Sequence, residues 1–199
     1  MRERVRRRDG VVGRIGRMAT SPDDVGVEPA AVGDLPAVAA IYGFHVRGSA
    51  SSFDLEPWTL PRWEQAAAAL DPGQGHHLLV ARSGGTVLGW AKSGVFRDRA
   101  AYASSVEVSV YVDAQAGGRG IGGALYCALF GLLDGAAPLH RAYAGITQPN
   151  PASVALHLRH GFSHVGTYSE VGRKFDRWWD VAWYERPLRP REAGHVHSL

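Results

Sequence analysis

Five glycines fall within seven residues at Gly117-Gly118-Arg119-Gly120-Ile121-Gly122-Gly123, between an alternating stretch that ends at Asp113 and an apolar run that starts near Gly120. Glycines at a strand-to-helix junction let backbone N–H groups approach an anion without side-chain clashes. The helix N-terminus adds a partial positive charge. A pyrophosphate is the expected ligand. Just upstream, Glu107 is a lone carboxylate in the apolar alternation Val106-Glu107-Val108-Ser109-Val110-Tyr111-Val112. On a half-buried strand its pKa is expected to rise, fitting it to take a proton from an ammonium directly or through water. Downstream, the stretch Ser153–His160 carries His157 and His160, and an imidazole can take up or give a proton near neutral pH.

Each feature has a competing reading. Gly118, Gly120 and Gly123 match a dinucleotide fingerprint, but such a loop follows the first strand of a parallel sheet and is answered about 20 residues later by an acidic ribose ligand. Here three antiparallel-looking strands come first, and residues 140–146 contain no Asp or Glu. His157, His160 and His164 suggest metal ligands by spacing. His164, however, lies beyond the helix stop at Gly161, and no cysteine or evident carboxylate completes a set, so no metal is expected. His157 can also be read as a hydrogen-bonded helix histidine, and Glu107 as a solvated glutamate.

The elements that must position these groups follow from periodicity and punctuation. Val25–Pro29 reads as a short strand, and Asp34 as the N-cap of a helix running to about Gly48 with Pro36 in its first turn. Trp58–Leu70 reads as a second helix. His77–Arg82 and Thr86–Val95 form a hairpin across Ser83-Gly84-Gly85, and Val106–Val112 is the clearest strand. A helix over about Gly120–Asp134, a strand at Arg141–Ile146, a helix at Ser153–His160 and strands at Phe162–Val171 and Trp178–Tyr184 complete the order βααβββαβαββ. Trp179, Val181 and Trp183 share one face of the last strand, which is expected to pack on a helix or a second copy rather than on nucleic acid.

The 199 residues fit one domain, with 45% hydrophobic and 21% charged residues. Seven arginines within residues 1–17 face Glu3 and Asp9, a local +5, so the net +3 leaves −2 for the rest. A basic nucleic-acid-binding body is thereby disfavoured. Residues 1–24 are expected to be a disordered basic arm, 25–188 the folded domain and 189–199 a flexible tail. Cys127, the single cysteine, is expected to be a buried, inert thiol. Without a transmembrane-length apolar segment, a soluble cytoplasmic protein is expected.

Several further motifs occur in order: Ser51-Ser52-Phe53-Asp54-Leu55-Glu56-Pro57, Tyr102 with Val106–Val112, Gly145–Ser153, and Val171-Gly172-Arg173-Lys174-Phe175-Asp176-Arg177-Trp178-Trp179-Asp180. Together with Asn150 through Gly161-Phe162 and the glycine turn, they resemble the phosphinothricin N-acetyltransferase family within the GNAT acetyltransferases, over about residues 26–188. The resemblance implies an α/β GNAT fold, a mixed sheet of six to seven strands flanked by about four helices. It also implies a homodimer and acetyl transfer from acetyl-CoA to the α-amino group of phosphinothricin, methionine sulfoximine or methionine sulfone. It places the general base on Glu107 and a catalytic role on His157, with a backbone N–H near Val108, at a bulge where the central strand parts from its neighbour, as oxyanion donor. Coenzyme contacts would fall on Val110, Tyr111, Val112, Gly118, Arg119, Gly120, Ile121, Gly122, Gly123 and Asn150, and the acceptor's acidic group on Arg99 and Tyr102 with Phe53 nearby. Gly117 departs from the family's Gln or Arg, leaving Arg119 to compensate. The alternatives are a GNAT enzyme acting on protein or peptide amines and a non-catalytic acetyl-CoA-binding module.

Overall fold

The computed structural model describes residues 25–188, so the expected arm and tail lie outside the described residues. The elements follow the expected order: β1 Gly26–Pro29, α1 Leu35–Gly48, α2 Leu60–Ala68, β2 His77–Ser83, β3 Thr86–Val95, β4 Ser105–Val112, α3 Ile121–Leu133, β5 Arg141–Thr147, α4 Pro151–Arg159, β6 Ser163–Lys174 and β7 Arg177–Pro187. The sheet has seven strands in the order β1-β2-β3-β4-β5-β7-β6. All neighbours are antiparallel except β4 and β5, which run parallel across the α3 crossover. The second crossover, through α4, carries β6 past a gap that β7 fills.

Alternation along β4 decides which side chain meets which layer. Val106 and Val108 are buried with Leu125, Tyr126, Leu129 and Leu133 of α3, and Val110 and Val112 pack on the same cluster. Glu107, Ser109 and Tyr111 therefore face the other side, where Tyr111 packs on Trp90, Trp63 and Tyr42 under α1 and α2. Parallel pairing of β4 with β5 stops at Glu107↔Tyr143. Beyond it the two strands diverge, which opens a cleft through the middle of the sheet.

Three expectations need correction. Cys127 is exposed, because Leu125, Tyr126, Leu129 and Phe130 claim the sheet-facing stripe of α3 and turn the thiol outward. Asp34 stands before α1 but makes no side-chain cap to it. Its carboxylate accepts from the Ala31 N–H at 2.9 Å and from the Arg82 guanidinium, tying the front of α1 to β2. The last two strands extend to Lys174 and from Arg177, because Phe175 and Asp176 adopt positive φ (52° and 55°) and close a two-residue turn.

Candidate active site

The cleft between β4 and β5 has a volume of about 350 Å³ and is lined by Val108 to Ala114, Gly117, Ala144 to Thr147, Asn150, Ser153 and His157, with Tyr126 and His45. Val110, Tyr111, Val112, Asn150 and His157 are thus brought to one place, as expected. The β3–β4 ladder runs from Gly89↔Val112 to Val95↔Val106 with no shift of register. The expected bulge at Val108 is therefore absent; the opening comes from β5 leaving.

The glycines of the turn divide their work. Gly118 (φ 76°) and Gly120 (φ 77°) occupy the left-handed region and face open space. Gly120 caps α3 without a side chain, and the first helical bond at this end is Ala124 N–H to the Gly120 carbonyl, so the N–H groups of Ile121, Gly122 and Gly123 are free of the helix ladder. Arg119 is exposed beside them. Ile121, expected among the coenzyme contacts, buries its side chain in the core at 2% exposure and offers its backbone alone. Gly122 admits α4: a Cβ there would lie 3.2 Å from Leu156. Asn150 caps α4 by accepting from Ser153 N–H at 3.1 Å, which leaves its amide donors for the cleft.

His157 is 4% exposed. Its Nδ1 lies 2.8 Å from the Ser153 carbonyl, which can only accept, so Nδ1 carries the hydrogen and Nε2 accepts from the Tyr126 hydroxyl at 2.8 Å. Burial pushes the imidazole pKa down, and this outweighs the Ser153 bond, which raises it; His160 lowers it further. The ring is therefore neutral near pH 7. Tyr126, wholly buried, has its own pKa raised by desolvation. Nothing in the sequence pairs a tyrosine inside an apolar helix with a histidine 31 residues on.

Glu107 approaches from the opposite face of the sheet to His157. Desolvation raises its pKa, while Arg97 and then Lys92 pull it down. Burial in turn lowers the pKa of Lys92, against the raising field of Glu107. Arg97 lies over Phe96 (4.5 Å) and Trp183 (5.3 Å), and Phe96 stacks on Tyr143 at 4.2 Å. Sequence reasoning did not single out Arg97, Lys92 or Trp183, which gather on this face; the resemblance implied Arg99 for the acceptor. Arg99 and Tyr102 line a separate cavity of about 260 Å³ with Gln74, His76 and Arg97, while Phe53 lines neither cavity and sits against Gly172. The three expected acceptor residues are not gathered in one cavity.

A family model described as an acetyltransferase (GNAT) domain matches residues 37–183. A phosphinothricin N-acetyltransferase of Streptomyces coelicolor is 51% identical over 168 residues, 83% of this chain and 97% of that protein. The chain belongs to the phosphinothricin N-acetyltransferase family of GNAT acetyltransferases. An L-methionine sulfoximine/L-methionine sulfone acetyltransferase of Pseudomonas paraeruginosa is 36% identical over 84% of this chain and 96% of its own. Among solved structures, a GNAT superfamily phosphinothricin acetyltransferase from Sinorhizobium meliloti in complex with AcCoA superposes with a TM-score of 0.77 at 30% identity, covering 88% of this chain and 97% of that one.

Membership makes the protein an acetyl-CoA-dependent N-acetyltransferase. The residues present suit that co-substrate: free N–H groups at the start of α3 and open space at Gly118 and Gly120 accept a diphosphate, and the gap between β4 and β5 accepts an extended chain. Among the described residues no group of three or more His, Cys, Asp or Glu could hold a metal ion.

Proposed function

We propose that the protein acetylates the α-amino group of phosphinothricin or a closely related amino acid such as methionine sulfoximine or methionine sulfone, with Glu107 as general base and His157 assisting proton transfer. The observation that carries this reading is Glu107 itself, a half-buried carboxylate with a raised pKa, flanked by Arg97 and Lys92, one residue before the strands part. Its chemistry is to accept the proton that an ammonium must shed before its nitrogen can attack. The cations beside it suit an acceptor that brings a carboxylate and a phosphinate or sulfone oxygen. The relatives named for phosphinothricin and for methionine sulfoximine and sulfone support the same acceptor class.

Bound acetyl-CoA supplies an activated acetyl thioester. The backbone N–H groups of residues 121–123 would hold its diphosphate, with Gly118, Arg119 and Gly120 beside them and Asn150 in the cleft. Val110, Tyr111 and Val112 line the path of its pantetheine arm. Neutral His157 accepts at Nε2 through Tyr126, so the pair can take up a proton released in the cleft and return it. The protein is proposed to act as a cytoplasmic homodimer in detoxifying such amino acids. Val165, Tyr168 and Val171, exposed on the edge strand β6, support a second copy there. No helix among the described residues is long and apolar enough to cross a membrane.

The test is release of coenzyme thiol across a panel of amino acids, their sulfone, sulfoximine and phosphinate analogues, and a peptide control. Turnover confined to the analogues is expected. Turnover of the peptide alone would overturn the reading.

A further inference from the structure

Of the motifs in the chain, Val171 to Asp180 has no part in the cleft, the base or the coenzyme cradle, yet it joins a bulge, a buried lysine and a glycine pressed against a ring. Tyr168 pairs with Val181 but Gly172 with Trp179, so β6 holds more residues than β7 between these rungs. The excess is taken up at Glu170, whose φ is 50° and whose N–H donates to the Asp180 carboxylate at 2.7 Å. Past this bulge the strand reaches the α1–α2 loop. A Cβ on Gly172 would fall 2.2, 2.5 and 2.7 Å from three ring carbons of Phe53. Two residues on, Lys174, 5% exposed, donates from Nζ to the Ser52 carbonyl at 2.8 Å, and desolvation lowers its pKa.

The loop so gripped lies on the Glu107 side of the sheet. Tyr111, on that face, donates to the Ser51 carbonyl at 3.0 Å, and Tyr42 bonds Ser52 at 2.7 Å and Asp54. A buried lysine spent on a backbone carbonyl is an expensive way to hold a surface loop, since hydrophobic packing would serve stability better. It fixes position.

We infer that Gly172 and Lys174 are positioning residues that set acceptor specificity: together they clasp Phe53 and Ser52 on the Glu107 face, and so fix the adjoining Ser51, which lines the cleft beside Tyr111 and borders the acceptor's place. This rests on the acceptor assignment above. Gly172 has an ordinary negative-φ or extended backbone, so an added methyl displaces Phe53 without straining the chain. Lys174→Met keeps the length and loses the bond to Ser52.

The experiment is steady-state kinetics of the full chain with methionine sulfone and phosphinothricin, with coenzyme affinity from calorimetry. Gly172→Ala is expected to raise the acceptor KM about tenfold and to change kcat and coenzyme Kd by less than about twofold, as a displaced positioning group does. Lys174→Met should do the same to a smaller extent, and both should change the preference between the two acceptors. In a Phe53→Ala background, Gly172→Ala should have no further effect. That double variant also relieves the clash, so it remains measurable if Gly172→Ala folds poorly. An unchanged acceptor KM in Gly172→Ala, or an effect that persists without the Phe53 ring, overturns the clasp. A wild-type protein that acetylates no member of the panel overturns the acceptor assignment instead.

Discussion

On the α3/α4 face of the sheet, the proposed coenzyme side is made chiefly of backbone: the start of one helix, two left-handed glycines, and the edges of β4 and β5 within about forty residues of sequence. On the α1/α2 face, the proposed acceptor side is made of side chains drawn from Tyr42 to Trp183, joined by rings, cations and single hydrogen bonds. The first arrangement suits a constant group such as a diphosphate, for which N–H donors in a fixed cradle suffice. Under the proposed function, the second has to recognise what varies between acceptors. A site divided in this way predicts that the two halves can be damaged separately.

The largest effect should come from Glu107→Gln, which keeps the shape and removes the base. Turnover is expected to fall by about 10² to 10⁴-fold, the range for loss of a general base. Coenzyme affinity measured by calorimetry should stay unchanged. The raised pKa fixes the sign of the pH dependence: activity with wild type climbs with pH along a limb lying above the ordinary value of 4.5 as the carboxylate ionises, and the variant loses that limb. Equal losses in turnover and coenzyme affinity would break the division between the two faces.

A second test concerns how each helical layer is pinned. Arg186 forks onto Asp134 at 2.9 and 2.8 Å on the coenzyme side, while Asp34 pairs with Arg82 under α1. Burial raises the Asp34 pKa, but the Arg82 hydrogen bond, the Ala31 N–H and the Arg82 charge together bring it below 3.8. Its contribution is therefore complete above that pH and is lost as the pH falls through the depressed folded value. Asp34→Asn should destabilise by about 2 kcal/mol at neutral pH, less than for a sealed pair because Arg82 keeps Glu28. Denaturant titrations at falling pH should show the two proteins converging. A constant difference down to the lowest pH at which both fold would argue that shape, not charge, holds the layer.

Gly120→Ala probes the cradle. The φ of 77° is the obstacle, since an added Cβ meets nothing within 4 Å. Strain of about 1 kcal/mol should appear as a coenzyme Kd raised about fivefold, with acceptor KM unmoved. Gly122→Ala has no such φ and meets Leu156, so thermal stability should drop with little change in Kd.

The same division explains how much of the molecule the sequence made legible. Every strand and helix was readable because each is fixed by its own periodicity and punctuation, and the glycine turn was readable because its function needs contiguous residues. Seven strands with one parallel pair agree with the expected mixed sheet. Cys127 was misjudged because an apolar run around all sides of a helix does not say which side meets the sheet. Tyr126, Arg97, Lys92 and Trp183 carry no local signal at all; their partners His157, Glu107 and Arg97 stand 10 to 86 residues away in sequence, and only the tertiary fold brings them together.

The smallest effect should come from the turn that carries the clasp. Phe175 and Asp176 both hold positive φ, a conformation that favours Asn-Gly in two-residue hairpins and disfavours a bulky ring. The Arg173–Asp176 pair does little to offset this, because both groups are exposed, at 58% and 98%. What maintains the turn is its surroundings: Trp179 Nε1 donates to the Lys174 carbonyl at 2.9 Å, with the Arg177 guanidinium 3.8 Å over the indole. Replacing Phe175-Asp176 by Asn-Gly should therefore stabilise the protein by about 0.5 to 1 kcal/mol, read as a raised midpoint in thermal unfolding. Acceptor kinetics should not change, because Lys174 and Gly172 are set by the ladder to Arg177 and Trp179 and not by the turn residues themselves. A shift in acceptor KM with this pair would place the Phe175 ring, which packs against Lys174 at 5.2 Å, inside the clasp.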